Sequence, residues 1–297
     1  KQVVRKEIAF TIDDLPVAVG GSTGSRSFVN ITKKLVTTIK KYNIPAIGFV
    51  NSRKIASQGK ALLNMWLEAN LELGNHTYSH PDLNNTPIKR FKDNIIKGEK
   101  GLKDLFEENG RKLKYFRYPC LHRGKTSRTK EEIERFLTER GYIIAPVTMD
   151  NQEWMYASVY AQAKRRNDTA SINRIGREYL LHMKGIIEFF ETWSLEIVGY
   201  QPKHIFLIHA NSLNADYLDK VIQILLKKGY AFVSLDEAMS DEIYSFNENY
   251  IGSEGLSWIH RIAITQGIKL KREPREPAWL KKMYNDFSRG NQSPEKK

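Results

Sequence analysis

The chain has 297 residues, of which 41% are hydrophobic, and a formal net charge of +13 at pH 7 with a pI near 9.5. This length can bury the core of one large α/β domain, and no apolar stretch is long enough to span a membrane. The single cysteine excludes an intrachain disulfide, and the basic charge indicates an anionic partner or surface. Without zinc-finger spacing or an aromatic-rich basic motif, no nucleic-acid partner is expected.

Apolar runs and helical periodicities alternate along the first 240 residues, starting almost at the first residue. The chain has no initiator Met, as expected of a mature or trimmed form. The predicted elements are, in order, strand 7–12, helix 28–41, strand 45–50, helix 60–69, strand 71–74, helix 89–109, strand 115–118, helix 130–140, strand 142–147, helix 172–193, strand 203–208, helix 216–228 and strand 230–233. Strands separated by helices of this length form parallel βαβ units, and six or seven such units favour a barrel.

The alternating pattern ends near residue 240. Residues 241–297 are polar and irregular, with Pro274, Pro277 and a charged Ser-Pro-Glu-Lys-Lys end. We therefore predict a barrel domain over residues 1–240 and a C-terminal extension over residues 241–297 that packs on it. The last stretch of about ten residues is predicted to be disordered.

Ionisable residues stand where five of the predicted strands end. They are Asp13 with Asp14, His76 with His80, Arg117, Asp150 and His209. The carboxyl ends of the strands meet at one rim of a parallel barrel, which is where catalytic groups gather. Each motif alone has an ordinary explanation, such as a turn, a core histidine or a structural ion pair. Their joint occurrence at one rim favours a functional site.

The first two motifs together indicate a metal site. Histidines at i and i+4, His76 and His80, offer nitrogen ligands, and the adjacent Asp13 and Asp14 offer carboxylate oxygen with one carboxylate to spare. Two histidines and a carboxylate suit zinc, and cobalt, nickel or iron would bind the same set.

Five motifs in order resemble those of polysaccharide deacetylases of carbohydrate esterase family 4, the NodB-homology group. They are Thr-Ile-Asp-Asp at 11–14, His-Thr-Tyr-Ser-His-Pro at 76–81, Arg-Tyr-Pro-Cys at 117–120, Asp-Asn-Gln-Glu-Trp at 150–154 and Leu-Ile-His at 207–209. The resemblance implies an α/β fold of the NodB-homology type, a deformed (β/α)7 barrel. It also implies a periplasmic, secreted or cell-envelope location, which the residues themselves do not indicate.

The resemblance implies a role for each matching residue at the metal. Asp14, His76 and His80 would hold the ion, and Asp13 would be the general base. Three protein ligands leave an open position for water, which is the arrangement of a catalytic site. An adjacent carboxylate without a metal bond can then take the proton of that water.

The remaining motifs would complete the catalytic site and the substrate pocket. By the same resemblance His209 would protonate the leaving amine or alcohol, Arg117 would pair with the base, and Asp150 would orient the catalytic histidine. Two side chains, those of Trp154 and Leu207, would line the pocket for the acetyl methyl group. A backbone N–H near residue 120 would stabilise the oxyanion.

The chain departs from the family pattern at three places. Cys120 and Leu121 stand where an aromatic residue and glycine are usual, Glu153 stands where aspartate is usual, and Leu15 with Pro16 follows the first motif instead of the common glycine. These departures concern the substrate groove more than the metal chemistry. His122 lies near the predicted rim and matches no family motif.

The predicted function is a metal-dependent hydrolase that removes acetyl groups from a glycan such as peptidoglycan or a chitin-type oligosaccharide. An N-acetyl group is favoured over an O-acetyl group as the one removed. An anionic cell-wall polymer suits the basic charge. Two alternatives stay open: a hydrolase of small amides or imides in the same barrel superfamily, and a catalytically weak glycan-binding module. An unligated base beside a metal argues against the binding module, which has no need of one.

Overall fold

The structure, a computed structural model, describes residues 5–18, 25–55 and 58–290. Within these ranges the chain forms seven strands and ten α-helices. The strands are β1 (Lys6–Leu15), β2 (Ile47–Val50), β3 (Glu72–Asn75), β4 (Tyr115–Phe116), β5 (Ile143–Ile144), β6 (His204–His209) and β7 (Tyr230–Phe232). The helices are α1 (Ser25–Lys41), α2 (Gly59–Glu68), α3 (Ile88–Glu108), α4 (Ser127–Glu139), α5 (Glu153–Arg165), α6 (Thr169–Val198), α7 (Ser212–Lys227), α8 (Leu235–Met239), α9 (Trp258–Thr265) and α10 (Ala278–Gly290). No described helix is long and apolar enough to cross a membrane.

The strands form one parallel sheet in the order β5-β4-β3-β2-β1-β6, and β7 pairs with the first residues of β1. The segment after β5 leads from one edge of this sheet to the other. The amide of Ala145 donates to the carbonyl of Phe116 in β4, whereas the amides of Thr148 and Met149 donate to Ile205 in β6. The sheet therefore curls into a deformed barrel, and the predicted (β/α)7 architecture is confirmed.

β1 pairs with β2, β6 and β7 and is buried on both faces. Phe10 and Ile12 on one face and Ala9 and Thr11 on the other are fully buried, as expected of a strand buried on both faces of a parallel sheet. The strand extends three residues beyond the predicted end at residue 12, so Asp13 and Asp14 belong to its last residues and not to a following loop. Asp13 pairs in register with His209 of β6, which brings two predicted site residues onto neighbouring strands.

The prediction missed α5. This helix follows the segment that joins the two edges of the sheet, and it precedes the long helix α6. Eight of its residues are buried, including Glu153, Met155, Tyr156 and Tyr160. A helix that packs against other helices on most sides has no single apolar stripe, and its periodicity is therefore weak. The strands β4 and β5 are shorter than predicted, with two residues each.

The prediction that residues 241–297 are irregular is wrong for two segments, because α9 and α10 form there. α9 is buried on nearly every side, with Trp258, Ile259 and Ile262 in the core. Its eight residues are too few to establish a helical periodicity. The amide of Trp258 donates to the carbonyl of Val147 at the barrel. Of the last stretch predicted to be disordered, 288–290 continue α10, and 291–297 lie outside the described residues.

Candidate active site

The carboxyl ends of the strands surround a cleft of about 420 Å³. The predicted site residues that line it are Asp13, Asp14, His76, His80, Cys120, Asp150, Trp154, Leu207 and His209. The tenth, Arg117, is buried beneath the cleft, with one guanidinium nitrogen 3.5 Å from Oδ2 of Asp13. The structure thus brings all the candidate residues into one place, as parallel strand ends require.

Asp14, His76 and His80 form a group that could hold a metal ion, because one donor atom from each lies within 4.8 Å of the others. Oδ1 of Asp14 is 4.0 Å from Nε2 of His76 and 3.7 Å from Nε2 of His80. This oxygen is buried and has no hydrogen-bond partner among the described residues. The ammonium of Lys54 lies 3.7 Å from the same oxygen. A carboxylate oxygen that accepts no hydrogen bond and lies between two imidazole nitrogens fits the ligand set of a zinc-like ion.

The protonation of both histidines also fits a metal site. Nδ1 of His76 lies 2.9 Å from the carbonyl oxygen of Arg117; a donated N–H there leaves the lone pair of Nε2 facing Asp14. Burial lowers the pKa of His76 and of His80 to about 4, so both rings are neutral at pH 7, as ligation requires. Burial alone would raise the pKa of Asp14, but Lys54 and nearby histidines outweigh it and lower that pKa to about 2.

Three residues of this group of motifs have left-handed backbone conformations. The φ angles of Asp14, Thr77 and His80 are 70°, 69° and 59°. Such a conformation costs a non-glycine residue about 1–3 kcal/mol, and it persists only where surrounding contacts hold it. Here the side chain of Asn75 accepts from the amide of Thr77 at 2.8 Å, and the Thr77 hydroxyl accepts from the amide of His80 at 3.0 Å. These bonds aim the second histidine back at the first.

Asp13 is buried in the wall of the cleft. Its Oδ2 lies 3.8 Å from Nε2 of His76 and 3.5 Å from the guanidinium of Arg117, while its Oδ1 has no hydrogen-bond partner among the described residues. Burial raises the pKa of Asp13 by more than the attraction of Arg117 and His209 lowers it. A carboxylate with a raised pKa and an unpaired oxygen is suited to accept a proton.

His209 is held by Glu153, the first residue of α5. Oε1 of Glu153 accepts from the backbone amide of His209 at 2.7 Å and lies 3.0 Å from its ring Nδ1. The same carboxylate accepts from the side-chain amides of Asn211 and Asn214, and it is fully buried. Burial alone would lower the pKa of His209, but the charge of Glu153 outweighs it and raises that pKa to about 10. The imidazole is therefore protonated at neutral pH.

The predicted role of Asp150 as the residue that orients His209 is corrected by this contact. Asp150 accepts a hydrogen bond from the amide of Asn151 and faces the cleft without bonding to His209. Burial raises its pKa to about 6. The sequence did contain a signal for the right residue, because Glu153 stands in the fourth motif directly before Trp154. In the sequence alone, Glu153 differs from the family pattern, and nothing there links it to His209.

Two side chains of the predicted substrate pocket differ in exposure. Trp154 is 43% exposed, and its ring meets Tyr284 of α10 edge-on with 5.4 Å between centroids. Leu207 is buried at the base of the cleft, where its carbonyl accepts from Asn151. His122 lies beside the cleft, and its Nδ1 is 2.6 Å from Oδ1 of Asp82.

The extension beyond residue 240 supplies part of the cleft wall, which sequence reasoning did not predict. Gly255 lines the cleft next to Cys120. A Cβ atom at Gly255 would lie 1.9 Å from the carbonyl oxygen of Cys120, so only glycine allows this approach. Nothing in the local sequence around Gly255 signals the contact.

Comparison with known proteins finds similarity to polysaccharide deacetylases. The model for polysaccharide deacetylase matches residues 1–138. A peptidoglycan-N-acetylglucosamine deacetylase from Bacillus cereus is 26% identical over 78% of this chain and 67% of its own length. One of the same name from Listeria monocytogenes is 22% identical over 82% of this chain and 41% of its own length. The chain thus spans well under half of the Listeria relative.

Among solved structures, a carbohydrate esterase family 4 pseudoenzyme from Bacillus anthracis has a TM-score of 0.52 to this chain. The two are 18% identical, and the match covers 80% of this chain and 66% of the other. This likeness shows the fold. Because that protein is described as a pseudoenzyme, activity has to be argued from the residues of the cleft.

Proposed function

We propose that this chain, which is similar to polysaccharide deacetylases, is a member of that family and a metal-dependent hydrolase that removes N-acetyl groups from a glycan. The observation that carries the proposal is that two buried oxygens, Oδ1 of Asp13 and Oδ1 of Asp14, accept no hydrogen bond among the described residues. Leaving two neighbouring buried carboxylate oxygens without hydrogen bonds costs stability, which the ammonium of Lys54, 3.7 Å from Oδ1 of Asp14, offsets only in part. That cost is accounted for if one oxygen binds an ion and the other takes a proton.

Asp14, His76 and His80 would hold the ion, since their donor atoms converge and both imidazoles are neutral at pH 7. A divalent ion bound there supplies Lewis-acid chemistry, lowering the pKa of water and polarising an acetyl carbonyl.

The chain's own side chains would move the protons. Asp13 accepts a proton from the attacking water, and Arg117 beside it keeps the carboxylate oriented. His209, charged because Glu153 holds it, donates a proton to the leaving nitrogen. Since that nitrogen is a poor leaving group until it is protonated, an imidazolium at this place lowers the barrier to C–N cleavage. Asp150 adds a second carboxyl group on the rim, near both His209 and Asp13.

The cleft and the charge support a polymeric glycan as substrate. The relatives named as peptidoglycan deacetylases point to an acetylated cell-wall sugar. The net charge of +13 favours an anionic polymer over a neutral one. Trp154, exposed at the cleft, offers an apolar face to a sugar ring or its acetyl methyl group.

Acetate release tests the proposal. The purified chain is assayed on peptidoglycan, chitooligosaccharides, acetylated xylan and small amides, with and without chelator, and again after zinc, cobalt, nickel or iron is added back. Glycan binding is measured in parallel. We expect release from peptidoglycan that chelator abolishes and metal restores. Activity that resists the chelator would overturn the metal role. Binding of glycan without any release would favour the binding module, and release from small amides alone would favour the other hydrolase class.

A further inference from the structure

The turn formed by Cys120 and Leu121 lines one side of the cleft and has an unfavourable backbone conformation. Both residues line the cleft, and their φ angles are 56° and 55°. Two consecutive non-glycine residues in the left-handed region are held there only if surrounding groups determine the conformation. The turn's own hydrogen bonds, from the amides of Leu121 and His122 to the carbonyls of Tyr118 and Pro119, are both 3.1 Å long.

The groups that hold this turn come from the far end of the chain. Nη2 of Arg261 in α9 donates to the carbonyl of Leu121 at 2.9 Å, and its Nε donates to the carbonyl of Leu256 at 3.1 Å. Gly255 packs against the carbonyl oxygen of Cys120 so closely that no side chain would fit. One short segment therefore fixes both carbonyl groups of the turn.

The guanidinium of Arg261 is itself fixed by a buried charge cluster. Glu248 is 6% exposed, and its Oε1 lies 2.7 Å from Lys130, 2.9 Å from Arg123 and 3.7 Å from Arg261. Arg261 is 3% exposed. A planar guanidinium bonded on several sides has little freedom to turn, so its bond to the Leu121 carbonyl has a fixed direction.

We propose that Arg261 is a positioning residue that holds the Cys120–Leu121 turn in its left-handed conformation and thereby fixes the cleft wall beside the reacting acetyl group. Its catalytic consequence rests on the proposed function, whereas the positioning of the turn does not. The segment around Gly255 and Arg261 then belongs to the active site, although it lies outside the part of the chain that the family model matches.

The matched test compares Arg261→Met with Lys130→Met. Both variants remove one positive charge from the carboxylate of Glu248, but only Arg261 also bonds to the turn. The first measurement is amide hydrogen exchange at Leu121 and His122. The second is the alkylation rate of Cys120, the chain's only cysteine. We expect both rates to change by about 10-fold or more in Arg261→Met and to stay near wild type in Lys130→Met.

Kinetics on an acetylated glycan provide the third measurement. The turn carries the backbone N–H near residue 120 that is expected to stabilise the oxyanion. Displacing such a group lowers kcat with little effect on KM, so kcat should fall about 10- to 100-fold in Arg261→Met. Zinc affinity should stay unchanged, because none of the proposed ligands is touched. Added guanidinium should restore part of the rate in Arg261→Ala.

Unchanged exchange and alkylation in Arg261→Met, or equal changes in Lys130→Met, would overturn the inference. If Arg261→Met does not fold, Gly255→Ala tests the same turn from its other contact, and normal exchange and turnover in that variant would count against it. A wild-type chain that releases no acetate would refute the proposed function, while the exchange and alkylation rates would still decide the positioning.

Discussion

Oε1 of Glu153 lies 2.7 Å from the backbone nitrogen of His209 and 3.0 Å from its ring Nδ1. One buried carboxylate therefore fixes both the main chain and the imidazole of the proposed acid. Because the same carboxylate also receives bonds from Asn211 and Asn214, it has no freedom to move away. The result is a charged imidazole held at the end of β6, opposite the end of β1.

Replacing Glu153 by Gln should lower the pKa of His209 below its value of about 10, because the opposing charge that outweighs burial is lost. Less of the imidazole is then protonated at neutral pH, and kcat should fall by about 10²- to 10⁴-fold. Proton NMR titration of the imidazole and acetate release measure the two effects. The control is Asp150→Asn, which leaves the His209 contact in place. A larger drop in the His209 pKa in Asp150→Asn than in Glu153→Gln would contradict this reading.

Asp13→Asn should abolish turnover while metal binding survives, because the substitution removes the proton acceptor and spares Asp14, His76 and His80. His76→Ala should lose both metal and turnover. Metal content after dialysis, measured beside acetate release, separates the two cases. Near-normal activity in Asp13→Asn would refute the proposed base.

Asn75→Ala should weaken metal binding without removing a ligand. The buried side chain of Asn75 accepts from the amide of Thr77 and donates to the carbonyl of Ile95 and to the hydroxyl of Tyr142. Its loss leaves buried groups unpaired, which lowers the free energy of unfolding by about 1–3 kcal/mol. It also frees the strained Thr77, so zinc affinity should fall by about 10-fold. Titration of zinc and urea unfolding check the two effects, and unchanged zinc affinity would show that the strain does not position the ligands.

The stability of the fold should fall with acid in part through His204, which lies in β6 far from the metal site. Burial lowers its pKa to about 3, whereas an unfolded histidine titrates near 6.5. Above pH 6.5 the ring is neutral in both states and adds no pH dependence. Below pH 6.5 the unfolded chain takes up a proton that the folded chain does not, so the free energy of unfolding falls by about 1.4 kcal/mol per pH unit.

The variant His204→Gln lacks this titration. Between pH 6.5 and pH 5 it should lose about 2 kcal/mol less unfolding free energy than the wild type. Denaturant unfolding at pH 7, 6 and 5 measures the difference in slope. Equal slopes in the two proteins would mean that His204 is charged in the folded state or is not buried there.

Much of the barrel could be predicted from the sequence because its strands are local apolar runs. The run that ends in Asp13 and Asp14 gave β1, and the residues leading to His76 gave β3, within three residues of the observed ends. The helices with one apolar face, such as α1 and α3, were predicted within about three residues as well. α5 was not, because a helix buried on most sides lacks the apolar stripe on which such a prediction depends. α9 was not, because its eight residues are too few to establish a helical periodicity.

The residues alone predicted a metal site with one carboxylate to spare, and the resemblance to the family assigned Asp14 as ligand and Asp13 as base. Asp13 and Asp14 are adjacent, His76 and His80 are four residues apart, and both pairs stand at ends of parallel strands that must share one rim. Only the tertiary structure decided which carboxylate holds His209 and what supports the cleft wall. Glu153 is 56 residues from His209, and Arg261 is 140 residues from Leu121. Such contacts depend on how buried helices pack together, and no local periodicity records that packing.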